Sequence, residues 1–264
     1  MRTDIEFWQA ALSTILIVIV VGVSWWRRLG LERSVVWAAL RATGQLLTVG
    51  LFFTIIFDSR LSQLWGALWV VVMVAISGGV VGRRTGASRD MIVVGLVAIG
   101  ATVAVVLAVI FGVGVLPFDS VSVVVIAGIT IGNTLPTVVQ AVERTRTHLQ
   151  ESIGQIEAML ALGFDAPEST RRVVHDVARL ALIPQIERTK VVGLIALPGA
   201  MTGLLLAGVD PLDAVLIQLV VMFLVLGAVA LSVIIVTMAL ANRALTADLR
   251  LADWVRSLST ASAH

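Results

Sequence analysis

Cysteine is absent from this 264-residue sequence, and lysine occurs once. Without thiols there is no disulfide framework, no iron–sulfur cluster and no thiolate metal site. The one lysine, Lys190, is followed by Val191, so a G-x-x-x-x-G-K-[ST] phosphate loop has no place in the chain. Charge is scarce as well. Only 14% of residues are Asp, Glu, Lys or Arg, against about a quarter in a soluble domain, too few to cover a soluble surface. The formal net charge is +2. The high pI reflects arginine over lysine, which membrane placement of Arg explains without invoking nucleic acid.

What the sequence has instead is apolar length. Hydrophobic residues make up 58% and mean hydropathy is +1.01. A helix needs about 20 apolar residues to cross the hydrocarbon core. Seven stretches qualify, roughly 7–26, 35–57, 62–81, 91–116, 121–140, 191–209 and 213–240. The expectation is an all-α, polytopic membrane protein with about seven transmembrane helices, one transmembrane domain over 1–264. The first stretch does not read as a cleaved signal peptide, because Met1 to Glu6 is not positively charged and no small-x-small site follows.

Arginine predicts the orientation. One set of loops holds Arg27, Arg28 and Arg33; Arg83, Arg84 and Arg89; seven basic residues between 141 and 190; and Arg243, Arg250 and Arg256. Of the 19 Lys and Arg, only Arg2, Arg60 and the intramembrane Arg41 fall elsewhere. Asp4, Glu6, Asp58, Asp119, Asp210 and Asp213 mark the opposite side. The positive-inside rule then puts the N-terminus outside and the C-terminus in the cytoplasm of a cell inner or plasma membrane.

The long stretch 141–190 reads as a cytoplasmic coupling segment, a helical hairpin. Its first helix continues from the fifth span to about Leu162, with Ile153, Ile156 and Leu160 on one face. Gly163 ends it in a left-handed conformation. Asp165 and Glu168 have capping-box spacing with Pro167 in the first turn. The second helix carries Val173, Val174, Val177, Leu180 and Ala181 on a stripe and is expected to stop near Pro184. Such a hairpin is either solvated and unpartnered or a lever that carries a push into the membrane.

Polar residues inside spans are few. Arg41, Gln45 and Thr48 share a helix face; Arg41 either lines a wet pathway or snorkels to headgroups. Thr130, Asn133, Thr137 and Gln140 form a second stripe, and Pro136 frees the carbonyl of Gly132. That stripe is either pathway lining or interhelical bonding, with Gln218 in the last span a further pathway candidate. Gly128 with Gly132, and Gly199 with Gly203, have the spacing for close helix approach. Pro198 is expected to kink the sixth span and make it a hinge. No span carries Asp, Glu, His or Cys, and His148, His175 and His264 lie elsewhere. No metal site and no cofactor site are predicted. A metal would depend on Asn133, Gln45, Gln218, carbonyls or the thioethers of Met201 and Met222, or travel as a complex. Arg41 repels a bare cation and suits an anion. No Ser–His, His–Glu or paired-carboxylate arrangement lies at membrane depth, so an enzyme is not expected.

Several motifs occur in order: Arg41-Ala-Thr-Gly-Gln45-Leu46, Gly132-Asn133, Glu157-Ala158 with Leu160-Ala-Leu-Gly163, Gly193-Leu-Ile-Ala-Leu-Pro-Gly-Ala-Met-Thr-Gly203, then Gln218 and Met222-Phe223. Over about residues 35–245 the chain resembles the FetB-type iron-export permease family, which includes plant aluminium-tolerance permeases. Glu157, Ala158 and Gly163 also resemble the loop by which permease subunits of ABC transporters seat in their ATPase. The resemblance implies a permease subunit without an ATPase site of its own, driven by a separate cytoplasmic ATP-binding subunit. It also implies a second copy of the chain, surrounding membrane lipid, and export of an iron-like metal ion or a small solute. The alternative is an ATPase-independent secondary transporter or channel; a structural or sensing membrane protein ranks behind it.

Overall fold

The computed structural model describes residues 12, 14–57, 61–86, 89–246, 248 and 250–256. Arg2, Asp4, Glu6, Asp58, Arg60, His264 and the first part of the 7–26 stretch lie outside the described residues. In chain order the helices are α1 (Thr14–Arg27), α2 (Glu32–Phe57), α3 (Ser62–Arg84), α4 (Arg89–Gly112), α5 (Ser120–Glu151), α6 (Ile153–Ala161), α7 (Ala166–Lys190), α8 (Gly199–Leu206), α9 (Pro211–Ala244) and α10 (Asp253–Arg256). Five of them, α2, α3, α4, α5 and α9, are long and apolar enough to cross a membrane, with α1 a shorter apolar helix.

Glycine sets the tightest contact. In the α3–α4 hairpin a side-chain carbon added at Gly95 would lie 2.7 Å from the Cβ of Val81, and one at Gly78 or Gly82 would overlap Leu96 or Ile92. Absence of those carbons lets the two backbones approach and maximises dispersion along the seam. Helix α5 runs parallel to α3. At one end Gly66 faces Ser120; at the other Arg146 Nη1 donates to the Thr85 carbonyl and so caps α3. Helix α9 runs parallel to α5. Ile126 clusters with Leu224 and Val225, Val138 and Val142 with Val236 and Leu240, and Leu149 with Ala244. Helix α7 lies antiparallel to both: Val173 and Val177 cluster with Ala244, Ala181 with Leu240 and Leu182 beside the Val225 group.

Chain direction therefore alternates, and the arginines of different loops meet at one end of the bundle. Arg146 reaches the end of α3, and Arg243 Nη1 donates to the Asp90 carbonyl at the start of α4 (3.2 Å). At the opposite end Asp119 caps α5, accepting from the backbone N and Oγ of Ser122 at 2.8 and 2.9 Å. These bonds hold its carboxyl below the ordinary carboxylate range. A depressed folded value means that the cap's contribution is present above the unfolded pKa and is lost as pH falls through the folded one.

The α1–α2 hairpin stands apart. Its turn is held by Ser24 Oγ donating to Glu32 (2.7 Å). Helix α2 has nothing buried in its apolar window, and its ring contacts with the bundle are Phe52 and Phe53 on Trp69.

Several local expectations are corrected. The sixth stretch, 191–209, is not one helix. Residues 191–198 form turns closed by a Val192–Ala196 bridge, and Gly193 takes φ +89°. Pro198 does not kink a helix; it is the extended N-cap of the eight-residue α8, because proline disfavours helix at the residue before it. In α7 the helix passes through Pro184 to Lys190, since a proline removes one backbone bond and packing of Ala181 and Leu182 on α5 and α9 retains the rest. Gly128, Gly132, Gly199 and Gly203 have open space around them within the chain, so the close-packing glycines are instead Gly78, Gly82 and Gly95. The hairpin turn matches its sequence, with Gly163 at φ +91° and Asp165 accepting from Glu168 N at 2.8 Å; the first helix, expected to run unbroken from the fifth span to about Leu162, instead breaks at Ser152 into α5 and α6.

Overpacking a seam this tight costs about 1–3 kcal/mol. Gly95→Leu is expected to lower the thermal unfolding midpoint of the purified protein by several degrees, whereas Gly79→Ala, which meets nothing, leaves it unchanged or raises it slightly through the helix preference of alanine; fluorescence-monitored melting in detergent reads both.

Candidate functional site

A cavity of about 220 Å³ opens where α7 ends and α8 begins. Four segments line it: Asn133 from α5; Gln185, Arg188 and Thr189 from α7; Pro198, Gly199 and Ala200 at the start of α8; and Gln218 and Met222 from α9. Asn133 lies about 20 Å along α5 and Met222 about 16 Å along α9, at ~1.5 Å per residue. These depths are about two thirds and about half of a ~30 Å hydrocarbon core.

Each polar group is placed by its helix. The spacing Gln185, Arg188, Thr189 puts all three on one face of α7. Thr189 Oγ1 is turned back to the Gln185 carbonyl (2.8 Å). Asn133 lines the cavity; its Nδ2 donates to the Ile129 carbonyl (2.8 Å), which leaves its Oδ1 free to accept. Gln218 is only 8% exposed, and its Oε1 is buried with no hydrogen-bond partner. A buried amide oxygen without a donor costs about 1–3 kcal/mol. Arg188 is exposed to the cavity and has no hydrogen bond or ion pair with any described residue. Its neighbours Glu187 and Lys190 pair with each other at 2.8 Å.

The α8 N-terminus adds backbone donors. Its first intrahelical bond is Thr202 N to the Pro198 carbonyl (3.0 Å), and no side chain caps it. The leading N–H groups of a helix have no intrahelical partner and carry partial positive charge. A carbon added at Gly199 would meet nothing within 4 Å, so a ligand has room to reach that backbone.

Of the sequence-predicted pathway residues, the fold brings Asn133 and Gln218 together. Thr137 is half-buried one turn below Asn133, with Oγ1 3.5 Å from the Asn133 carbonyl. Arg41 and Gln45 are exposed on α2 and do not line the cavity. Gly199 and Pro198 belong to the site, not to a packing seam. Pro136 lies within α5, one turn from Asn133. Glu157, Ala158 and Gly163 are exposed at the far tip, where Leu162 (78%) and Phe164 (40%) also project. Sequence reasoning missed Gln185, Arg188 and Thr189 because it ended α7 at Pro184; their helical spacing was the available signal.

Alternating apolar helices around a polar cavity at a broken helix define a multi-pass membrane protein. The chain belongs to the family described as "Uncharacterised protein family (UPF0014)", whose model matches residues 7–245. It is 34% identical over 225 residues to "UPF0014 membrane protein STAR2" of Oryza sativa subsp. japonica, covering 85% of this chain and 79% of that one. It is 31% identical to "Protein ALUMINUM SENSITIVE 3" of Arabidopsis thaliana over 225 residues, 84% of this chain and 81% of that one. It is also 31% identical to "Probable iron export permease protein FetB" of Escherichia coli (strain K12) over 228 residues, 85% and 86% of the two chains. No solved structure matches the chain significantly.

The natural absence of cysteine permits a direct check of the cavity. Single cysteines at Ala200 and Met222 are expected to react with a water-soluble, membrane-impermeant maleimide in intact vesicles. A cysteine at Val233, which is 0% exposed, is expected to stay unlabelled until the protein is denatured.

Proposed function

We propose that this chain is the membrane-spanning permease subunit of an ABC transporter, exporting an iron-like metal or a small solute and driven by a separate ATP-binding subunit. The observation that carries the reading is helix α7. It begins at the exposed Leu162–Phe164 tip and ends, about 37 Å away at ~1.5 Å per residue, with Gln185, Arg188 and Thr189 in the cavity wall. A push on the tip travels along one packed rod to the polar site. The relatives named above support the cargo class, since one of them is described as a probable iron export permease.

The arginine-rich end is the cytoplasmic one by the positive-inside rule. That places the α6–α7 tip where a soluble ATPase meets it, with Glu157, Ala158 and Gly163 at the contact. In this reading a separate subunit supplies the energy, in keeping with the lack of a G-x-x-x-x-G-K-[ST] motif at the lone Lys190. Closure of paired ATPases requires two permease copies. Helix α2 supports that arrangement: Arg41, Gln45 and Thr48 are exposed on it, and in hydrocarbon an ionisable side chain faces protein or water. A second copy covers this face in the working assembly.

Glu157→Lys and Gly163→Val are expected to abolish ATP-dependent transport in vesicles holding both subunits, while membrane insertion and amount of the chain stay at wild-type levels. In Gly163→Val a β-branched residue is forced to positive φ, at about 1–2 kcal/mol. Solute flux through the purified chain alone, without ATP, would instead make it a secondary transporter or channel.

The two-copy arrangement has its own readout. Gln45→Cys in the Cys-free chain is expected to give an oxidant-dependent disulfide dimer in native membranes, and a cysteine at the buried Val81 none.

A further inference from the structure

We infer that the cavity at the broken helix binds the anionic oxygens of a hydroxylated small molecule, a hydroxycarboxylate or a phosphate ester, so that a metal crossing here travels as an anionic complex and not as a bare cation. The inference rests on the cavity being the transport site, as proposed above, and names its ligand chemistry.

Charge comes first. Arg188 is the one ionisable side chain lining the cavity, and no Asp or Glu joins it. It is unpaired among the described residues, and the adjacent Glu187–Lys190 pair is internally neutral. The cavity is therefore positive. A planar guanidinium presents donors that match a carboxylate or phosphate. The uncapped N-terminus of α8 adds backbone N–H groups from Gly199 and Ala200 on the same wall. A bare divalent cation meets the opposite field, and among the described residues no three His, Asp or Glu gather to hold one.

Gln218 narrows the class. It lines the cavity, and its Oε1 is buried without a partner; Asn133 lines the same cavity with its Nδ2 engaged by Ile129, which leaves its Oδ1 free to accept. Amide oxygens need donors. A fully ionised oxyanion has none, so it would leave Gln218 unsatisfied. A hydroxyl carried next to the anionic group satisfies it. Donors from Arg188 and α8 together with acceptors from Gln218 and Asn133 describe a hydroxy-acid or a phosphate ester of an alcohol.

The test measures binding to the full-length chain in nanodiscs by isothermal titration, with no nucleotide and no second subunit. Failure of ATPase coupling therefore leaves this result untouched, and failure here leaves ATP-driven transport of another cargo possible. The probes are citrate, its hydroxyl-free analogue tricarballylate, glycerol 3-phosphate, and ferrous ion alone. Citrate or glycerol 3-phosphate is expected to bind, and the tighter of the two assigns the carboxylate or the phosphate source. Arg188→Gln is expected to weaken that binding at least ~10-fold, while Arg172→Gln, on the exposed side of α7 beside Asp176, does not. Citrate is expected to bind more tightly than tricarballylate, and Gln218→Leu to erase that preference. Should Gln218→Leu fail to insert, the wild-type preference between the two acids still decides the hydroxyl's role. Binding of ferrous ion alone, no binding of either anion, or unchanged binding in Arg188→Gln would each overturn the inference.

Discussion

Backbone N–H and C=O groups in hydrocarbon must find partners inside the protein, and unwound chain survives there only when buried or lining a cavity. The segment 191–198 is this protein's test of that constraint. Part of it is self-satisfied, with Gly193 N bonded to the Ala196 carbonyl and Ile195 N to the Val191 carbonyl. At its two ends Val192 and Pro198 line the polar cavity together with the start of α8. The break in this apolar stretch and the polar cavity beside it therefore belong together. The same logic governs discontinuous helices of many transporters, whose half-helix ends meet the ligand.

The frame around that site is rigid where it needs to be. Gly78, Gly82 and Gly95 lock α3 to α4, and Arg146 ties the end of α3 to α5. Long helices α5 and α9 run side by side from the acidic end to the arginine-rich end, and α7 packs along them from that end to the cavity. Motion at the tip of α7 therefore has few places to go. Its base packs on Leu149 and Ala244, and its far end is the cavity wall. The α1–α2 hairpin, by contrast, contributes little to this frame, and the polar face of α2 is exposed.

Much of the fold is legible without coordinates. Apolar stretches locate the long helices, and arginine placement anticipates which loops share an end. Gly163, Asp165 and Glu168 specify their turn through short-range chemistry, because a left-handed glycine and a carboxylate cap act within a few residues. Local rules fail where distant packing outweighs them. Pro184 reads as a stop, yet tertiary contacts carry α7 past it. Gly128 and Gly199 have the same spacing rule in their favour as Gly78, yet only Gly78 faces a neighbour.

Asn133 and Gln218 were recognisable as polar outliers in apolar segments, since such outliers are costly and have to be accommodated. Their meeting with Arg188 and the head of α8 was not, because it depends on the relative register of α5, α7 and α9. By itself the sequence determined membrane residence, the alternating direction of the helices and the chemistry of the hairpin turn, all of which follow from hydropathy, charge and neighbours a few residues apart. Only the tertiary structure decided that the sixth apolar stretch is broken and that one arginine, two amides and a helix end share a cavity. Those outcomes depend on how far each helix slides against the next, which side-chain contacts distant in the chain set and no local pattern encodes.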